Sequence, residues 1–517
     1  MKFNIFKYIF FIIVVLLIGF AFYLIYKNGN SKSLAVEENK MQINMLKDMN
    51  IGVVNLDTLN PILSNNRDVQ YLTKLIFEPL LDITKDFRIE NKLAKEFSKI
   101  NAKTYIVKLR EDIYWHDKTK FAAEDVIFTI NGLKQDNINS IYKENVKSIE
   151  KVEQIDDYTI KIILNEETPF FEYNMCFPIL SSSSYDSETL VSKTEKLNGT
   201  GKYKIENIQE DLIQLVVANE NYKTNIKEIN ILLKKTVKDL YNSFVNKELD
   251  YIITDNVDYE KYLGTMGYNV CKIPNREYEY LVLNNKKLNK NVRQAIEMII
   301  DRDSINYNIY NNRYIDCNFP LYYGTYLYNC EDDIYYANQA KSTLIENGWI
   351  YKNNSWINNN KVLKFNLIVN EENEKRLLAS EEIKKQLSNL GIDINVIRVN
   401  SSTYINYLQN KNYDMILTGN LIGNSPNLGT YFGDNNLSNF DNKEVKELLK
   451  DIKNISDEEV LKEKYLRLSY IYNEEMPFIS LYSNSLFIIT SRNLKGDLSC
   501  NWYNLFYNID DWYKIKN

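Results

Sequence analysis

A single histidine, His116, is the only place where imidazole chemistry could start. It lies in Tyr114-Trp115-His116-Asp117, directly after a strand-like run. One histidine excludes a metal site with two imidazole ligands and leaves room for one Ser-His-Asp arrangement at most. No G-x-S-x-G elbow supplies its nucleophile, so His116 reads as a turn or packing residue. Asn198-Gly199-Thr200-Gly201 lacks the G-x-x-x-x-G-K-S/T frame whose amides cradle phosphate. The acidic pairs Asp156-Asp157 and Asp332-Asp333 read as solvated turns rather than a general acid and base. Cys176, Cys271, Cys317, Cys330 and Cys500 are far apart with no C-x-x-C, which is neither a zinc pattern nor a disulfide framework. Buried free thiols are expected, with Cys317 and Cys330 able to pair if their geometry allows. These residues assemble no active site, no metal site and no cofactor site. The chain reads as a binder, not an enzyme.

Composition narrows what it binds. The 63 Lys and Arg against 69 Asp and Glu give a net charge of −6, so no basic field exists for nucleic acid. Hydrophobic residues at 44% and charged residues at 26% exclude disorder as the main state. At ~150 residues per domain, 517 residues imply about three domains or one large lobed body. The 40 tyrosines suit a ligand cleft, since tyrosine stacks and hydrogen-bonds, although genomic base composition accounts equally well for excess Asn, Lys, Ile and Tyr.

The N-terminus assigns the compartment. Tyr8 to Tyr26 is uncharged and mostly apolar, with Lys2 and Lys7 before it and Lys27 after it. As a helix it spans roughly 28 Å, close to the ~30 Å hydrocarbon core of a bilayer. Phe20-Ala21-Phe22-Tyr23-Leu24-Ile25-Tyr26 puts bulky residues where a signal peptidase needs small ones, and no cysteine is near enough for acylation. Residues 1–27 are therefore expected to be an uncleaved signal-anchor helix, and the polar stretch 28–41 a tether to an extracytoplasmic body.

Tyr105, Val107 and Leu109 alternate with polar residues as a strand does, as do Tyr158, Ile160 and Ile162, and Ile229 and Ile231. Val69, Leu72, Leu75 and Ile76 share a helical face, with Asp68 as predicted N-cap and Pro79 as the stop. Val126, Ile127, Ile130 and Leu133 form a second such face. Ala379, Ile383, Leu387 and Leu390 form a third, closed by Gly391 and followed by the strand pattern of Ile392, Ile394 and Val396. Helix, glycine, strand is half of a βαβ unit, so the fold class is mixed α/β.

Several segments together resemble the family-5 extracellular solute-binding proteins of ABC importers, the oligopeptide- and dipeptide-binding group. Leu56-Asp57-Thr58-Leu59-Asn60-Pro61 and Ile76-Phe77-Glu78-Pro79-Leu80 are similar to the family's opening. Tyr105 to Arg110, Trp115-His116-Asp117 and Ala123-Glu124-Asp125-Val126 resemble its Leu-Arg strand, Trp-x-Asp-Gly turn and Thr-Ala-x-Asp-Val helix start. Gly199-Thr200-Gly201-Lys202-Tyr203 looks like its Gly-Thr-Gly-Pro-Tyr, and Val292-Arg293-Gln294-Ala295 with Ile300-Asp301-Arg302 like its Arg-Gln-Ala helix. Asn347-Gly348-Trp349, Leu390-Gly391-Ile392 and Met476-Pro477 follow in order. The resemblance implies a three-lobed, periplasmic-binding-protein-like fold (type II, cluster C), with a ligand cleft between two lobes that close by hinge motion. Residues 42–84, 190–272 and 483–517 would form one lobe, 85–189 a second and 273–482 a third.

The same resemblance implies which residues hold the ligand. Relatives place an acidic residue for a peptide's α-amino group a few positions after a glycine of the third lobe. The corresponding stretch here is Asp414 to Gly423, with Gly419, Asn420, Leu421 and Ile422 at the ligand and Gly423 at the acid's position. Leu417 replaces a basic residue that some relatives carry, and Asp434 is the nearest substitute for the acid. Tyr142 retains an aromatic that lines the cleft, and Asn65 falls where relatives offer a polar side chain. Lys118 replaces the turn glycine and Ala122 the helix-capping threonine. The expectation is a membrane-anchored monomer that delivers a peptide or peptide-like ligand to an ABC permease. The missing acid leaves open a nonpeptide ligand, such as a nickel chelate or an opine-like compound, and a surface sensor that does not transport.

Overall fold

Two strand runs are far longer than the rest. Tyr268–Leu283 spans 16 residues and Phe478–Ser491 spans 14. The second is buried at every position except its last, as befits a run of aromatic, branched and small residues covered on both faces. The two pair antiparallel from Tyr268 opposite Ser491 to Val282 opposite Phe478. They form the middle of an 11-stranded sheet. In this computed structural model the described residues are 45–255, 259–264, 267–322, 324–327, 337–455 and 457–516. The expected signal-anchor and tether, Cys330 and the Asp332-Asp333 pair lie outside them. Among the described residues no helix is long and apolar enough to cross a membrane.

The rest of the sheet attaches to this ribbon at opposite ends. Near one end, Tyr251–Thr254 pairs with residues 487–490, and the sheet continues through Asp48–Val54, Glu228–Lys234, Leu212–Val217 and Tyr203–Ile208. Near the other end, Met415–Leu421 pairs with residues 277–283 and continues through Lys364–Asn370 to Asp393–Val399. Ile315–Asp316 pairs with Ser483 and Tyr482, level with this second attachment but on the opposite edge of the ribbon. A separate four-stranded antiparallel sheet comprises Ala94–Asn101, Thr104–Leu109, Thr159–Leu164 and Ile149–Asp156.

Local signals mostly act as read. Tyr105, Val107, Leu109, Ile160 and Ile162 point into the core, and Val126, Ile130 and Leu133 of helix Ala123–Leu133 are buried with them. Helix Glu374–Asn389 ends at Gly391, which takes φ +86°, and the next strand lies parallel to Lys364–Asn370. One cap is corrected. Asn66, not Asp68, caps Arg67–Leu72, because its side chain accepts from the amides of Asp68 and Val69 at 2.9 and 3.3 Å. Asp68 sits inside the first turn, where a carboxylate favours the helix dipole.

The motif residues near His116 have structural work. Asp125 is 4% exposed and accepts from the Trp115 indole at 3.1 Å, the Ala122 amide at 3.0 Å, and the amide and hydroxyl of Ser182 at 2.8 and 2.9 Å. Its bond to the Ala122 amide is the half of a capping box made by the third helical residue, and the half that needs an Ala122 side chain is missing. His116 Nε2 bonds the Gly201 carbonyl at 2.8 Å, and its backbone amide donates to the Gly199 carbonyl at 2.9 Å. Burial lowers the His116 pKa, which favours the neutral ring. A Cβ on Gly199 would overlap the Ile76 carbonyl, so this loop is a packing joint. Cys317 is buried with its thiol 3.0 Å from the Phe319 carbonyl, while Cys500 hydrogen-bonds Cys271 and helps pull that thiol down to about 7.

Lys118 occupies φ +72°, a left-handed conformation that strains an L side chain. Lys118→Gly should therefore stabilise the turn by about 0.5 kcal/mol, the relieved strain exceeding the entropy that glycine adds to the unfolded chain. Chemical denaturation should show a higher unfolding midpoint.

Candidate ligand site at the bulged ribbon

Pro274 has no amide hydrogen, so a central strand cannot carry it without interruption. The register with Phe478–Ser491 breaks there, shifting between Pro274 and Tyr278. Asn275 turns the backbone by accepting from the Glu277 amide at 2.8 Å, and the Tyr322 hydroxyl donates to the Pro274 carbonyl at 2.8 Å. Bulges re-aim side chains, and this one re-aims Arg276. Its Nε donates to the Ile422 carbonyl at 2.9 Å, while the Ile422 amide donates to the Arg276 carbonyl at 2.8 Å. The guanidinium lies 5.1 Å from the centre of the Trp502 ring. Burial depresses its pKa, opposed by the nearby Tyr71 and Tyr142 hydroxyls.

Tyr142 approaches from the four-stranded-sheet side. Its hydroxyl donates to Gln70 Oε1 at 2.6 Å, and its ring lies 6.2 Å from that of Phe177. Gln70 is fixed in turn by donating to the Pro61 and Ser64 carbonyls, both at 2.8 Å. Burial raises the phenol pKa of Tyr142 and lifts that of Tyr71 to about 12, so both remain hydrogen-bonding phenols at neutral pH. Asn65 is exposed just before the Asn66 cap of the helix that carries Gln70 and Tyr71, and its side chain has no hydrogen-bond partner among the described residues.

The stretch 419–423 runs beside the bulge. Gly419, Asn420 and Leu421 pair with Glu279, Tyr278 and Glu277. Asn420 Nδ2 donates to the Tyr431 hydroxyl at 2.9 Å, Leu421 is 59% exposed, and Ile422 is buried against Arg276. Gly419 is required by what passes over it. A Cβ there would sit 2.5 Å from Glu279 Oε1 and 2.7 Å from the Tyr278 carbonyl. Glu279 and Arg376 form a bidentate pair at this point, with both contacts 2.7 Å. Gly423 is different, because a Cβ would meet nothing nearer than Ser425 at 3.9 Å. Asp434 is 81% exposed at side-chain level and pairs with Lys446 at 3.0 Å, so it does not stand in for the missing acid. Tyr142 and Ile422 thus converge on Arg276, whereas no hydrogen bond or ion pair among the described residues ties Asn65 or Gly423 to it. Among the described residues no cluster of His, Cys, Asp or Glu could hold a metal ion.

The profile of the bacterial extracellular solute-binding proteins, family 5, matches residues 88–442. The chain belongs to this family. It is 22% identical over 500 residues to the oligopeptide-binding protein AppA of Bacillus subtilis, covering 91% of this chain and 92% of that protein. The solved MppA periplasmic murein tripeptide binding protein, in its unliganded open form, superposes with a TM-score of 0.80 at 19% identity, covering 92% and 99% of the two chains. A nickel ABC transporter structure from Bacillus halodurans gives 0.77 at 17% identity, covering 90% and 100%. The fold is accordingly that of the mixed α/β substrate-binding proteins, and family membership makes the chain a transport binder rather than an enzyme.

Reading the sequence missed Arg276, Trp502, Tyr71 and Gln70. One signal was available for the first: Pro274-Asn275 interrupts an otherwise strand-like run. The contrast between the two glycines is testable. Gly419→Ala should disrupt the half-buried Glu279–Arg376 pair and destabilise the chain by about 3 kcal/mol. Gly423→Ala should stay within about 0.5 kcal/mol of the parent. Urea unfolding of both variants measures the difference.

Proposed function

We propose that the chain is the extracytoplasmic binding component of an ABC importer, taking up a peptide or peptide-like ligand and delivering it to the permease. The match to the family profile across residues 88–442 carries this reading. Similarity to an oligopeptide-binding and a tripeptide-binding protein over nearly the whole chain supports a peptide as the ligand. Three lobes, 42–84 with 190–272 and 483–517, then 85–189, then 273–482, would close around the ligand by bending the ribbon at its bulge. Tyr142, Asn65 and the 419–423 stretch would line the enclosed cleft, with backbone groups giving contacts that tolerate many sequences. Residues 1–27 would anchor the body to the outer face of the membrane as a monomer.

Gly423 favours a second reading. Without a carboxylate for the α-amino group, the site would suit a nonpeptide ligand, and one structural relative is a nickel ABC transporter. Native mass spectrometry of the full-length chain, purified in detergent without refolding, separates the two. A co-purified mixture of peptide masses is the expected result. A single nonpeptide mass would replace the peptide reading and identify the cargo.

A further inference from the structure

Two thiols that are distant in sequence meet where the C-terminal segment crosses the ribbon. Cys271 pairs with Ile488, and Ile488 pairs in turn with Ile253. Residues in register across a sheet share a face, so these three side chains point the same way. Tyr251, two positions before Ile253, points with them. Its ring packs on Phe506 and Trp512, with centroids 5.6 Å away in both cases. The C-terminal segment therefore covers the face that carries Cys271, and this brings Cys500 into hydrogen-bond contact with it.

The residues flanking Cys500 hold it in place. Asn501 Nδ2 donates to the Thr84 and Lys85 carbonyls at 3.1 and 3.0 Å, and Lys85 Nζ donates to Ser499 Oγ. The same ammonium favours the thiolate at both sulfurs. Their mutual hydrogen bond divides the two roles, bringing Cys271 down to about 7 and pushing Cys500 up. At neutral pH Cys271 is thus substantially a thiolate, and Cys500 keeps the proton it donates. Both are partly exposed, whereas Cys176 and Cys317 are buried. A partly exposed thiolate beside a cation and a second thiol is a reactive setting rather than a packing one.

We propose that Cys271 and Cys500 form a reversible dithiol–disulfide site, with Cys271 attacking, Cys500 resolving and a low-molecular-weight disulfide as the oxidant. The Cys271 thiolate attacks one sulfur of the oxidant, breaking its S–S bond, forming a mixed disulfide and releasing one thiolate. Cys500 gives its proton to that departing thiolate, and its sulfur then attacks the Cys271 sulfur, releasing the second half of the oxidant. Two protein thiols are oxidised to one disulfide, and one external disulfide is reduced to two thiols. The new bond fastens the ribbon to the C-terminal segment just ahead of Pro274. The site goes beyond the transport reading and holds whatever the ligand is.

The test uses the reduced full-length chain in detergent, treated with oxidised glutathione near neutral pH, alkylated and mapped by mass spectrometry. The expected product is a Cys271–Cys500 crosslink that dithiothreitol reverses. Before oxidation Cys271 should alkylate at least about tenfold faster than Cys500. Cys500→Ser should trap glutathione on Cys271, and Cys271→Ser should leave Cys500 unmodified. A glutathione adduct that persists on Cys271 of the parent chain, with Cys500 still free, overturns the site. Crosslinking of another pair, such as Cys317 with Cys330, overturns it too, as does recovery of every thiol unoxidised. The parent protein alone decides, so a variant that fails to fold does not block the answer.

Discussion

The pairing of Tyr268–Leu283 with Phe478–Ser491 is the constraint on which the rest depends. The two strands lie some two hundred residues apart in sequence, yet they make one ribbon that runs through both halves of the large sheet. The remaining strands attach to its ends, so the middle is where the halves are least coupled. Pro274 interrupts the ladder at that middle, and the carbonyl it leaves behind is satisfied by Tyr322 rather than by a neighbouring strand. A defect in pairing thus becomes the place where side chains from distant segments can meet.

What meets there is selected by electrostatics. A buried ion pair can be costly to assemble, and leaving one partner alone is worse. The site follows that rule for Glu279 and Arg376, whose bidentate contact requires the bare backbone of Gly419. Asp125 follows it in another way, by accepting four uncharged donors. Arg276 is only partly buried and meets the rule with a backbone partner, donating Nε to the Ile422 carbonyl.

Elements whose causes are local were legible in the sequence. Alternation fixed the faces of Thr104–Leu109 and Thr159–Leu164, and Leu387-to-Gly391 marked the helix-to-strand step because glycine alone takes that φ cheaply. The spacing between Trp115 and Asp125 was recognisable as a motif, and its reason, an indole–carboxylate hydrogen bond, is visible only in three dimensions. The N-cap was misplaced by two residues, since Asn66 and Asp68 are both good caps and only the backbone entering the helix chooses between them. The roles of Arg276, Gln70 and Trp502 were hidden for a different reason, although Pro274-Asn275 marked the interruption beside the first. Their roles come from partners far away in the chain, on Ile422, Tyr142 and Arg276 respectively, and no periodicity encodes such pairings.

The central claim is that one ligand is enclosed where these separate stretches converge on the ribbon bulge. Amide hydrogen exchange of the full-length chain, with and without a pool of random tripeptides to pentapeptides, tests it directly. The account predicts that exchange slows together in residues 65–72, 274–277, 419–423 and 500–503. Protection confined to one of these stretches, or appearing instead around the open pocket between residues 112–118 and 218–222, would contradict it.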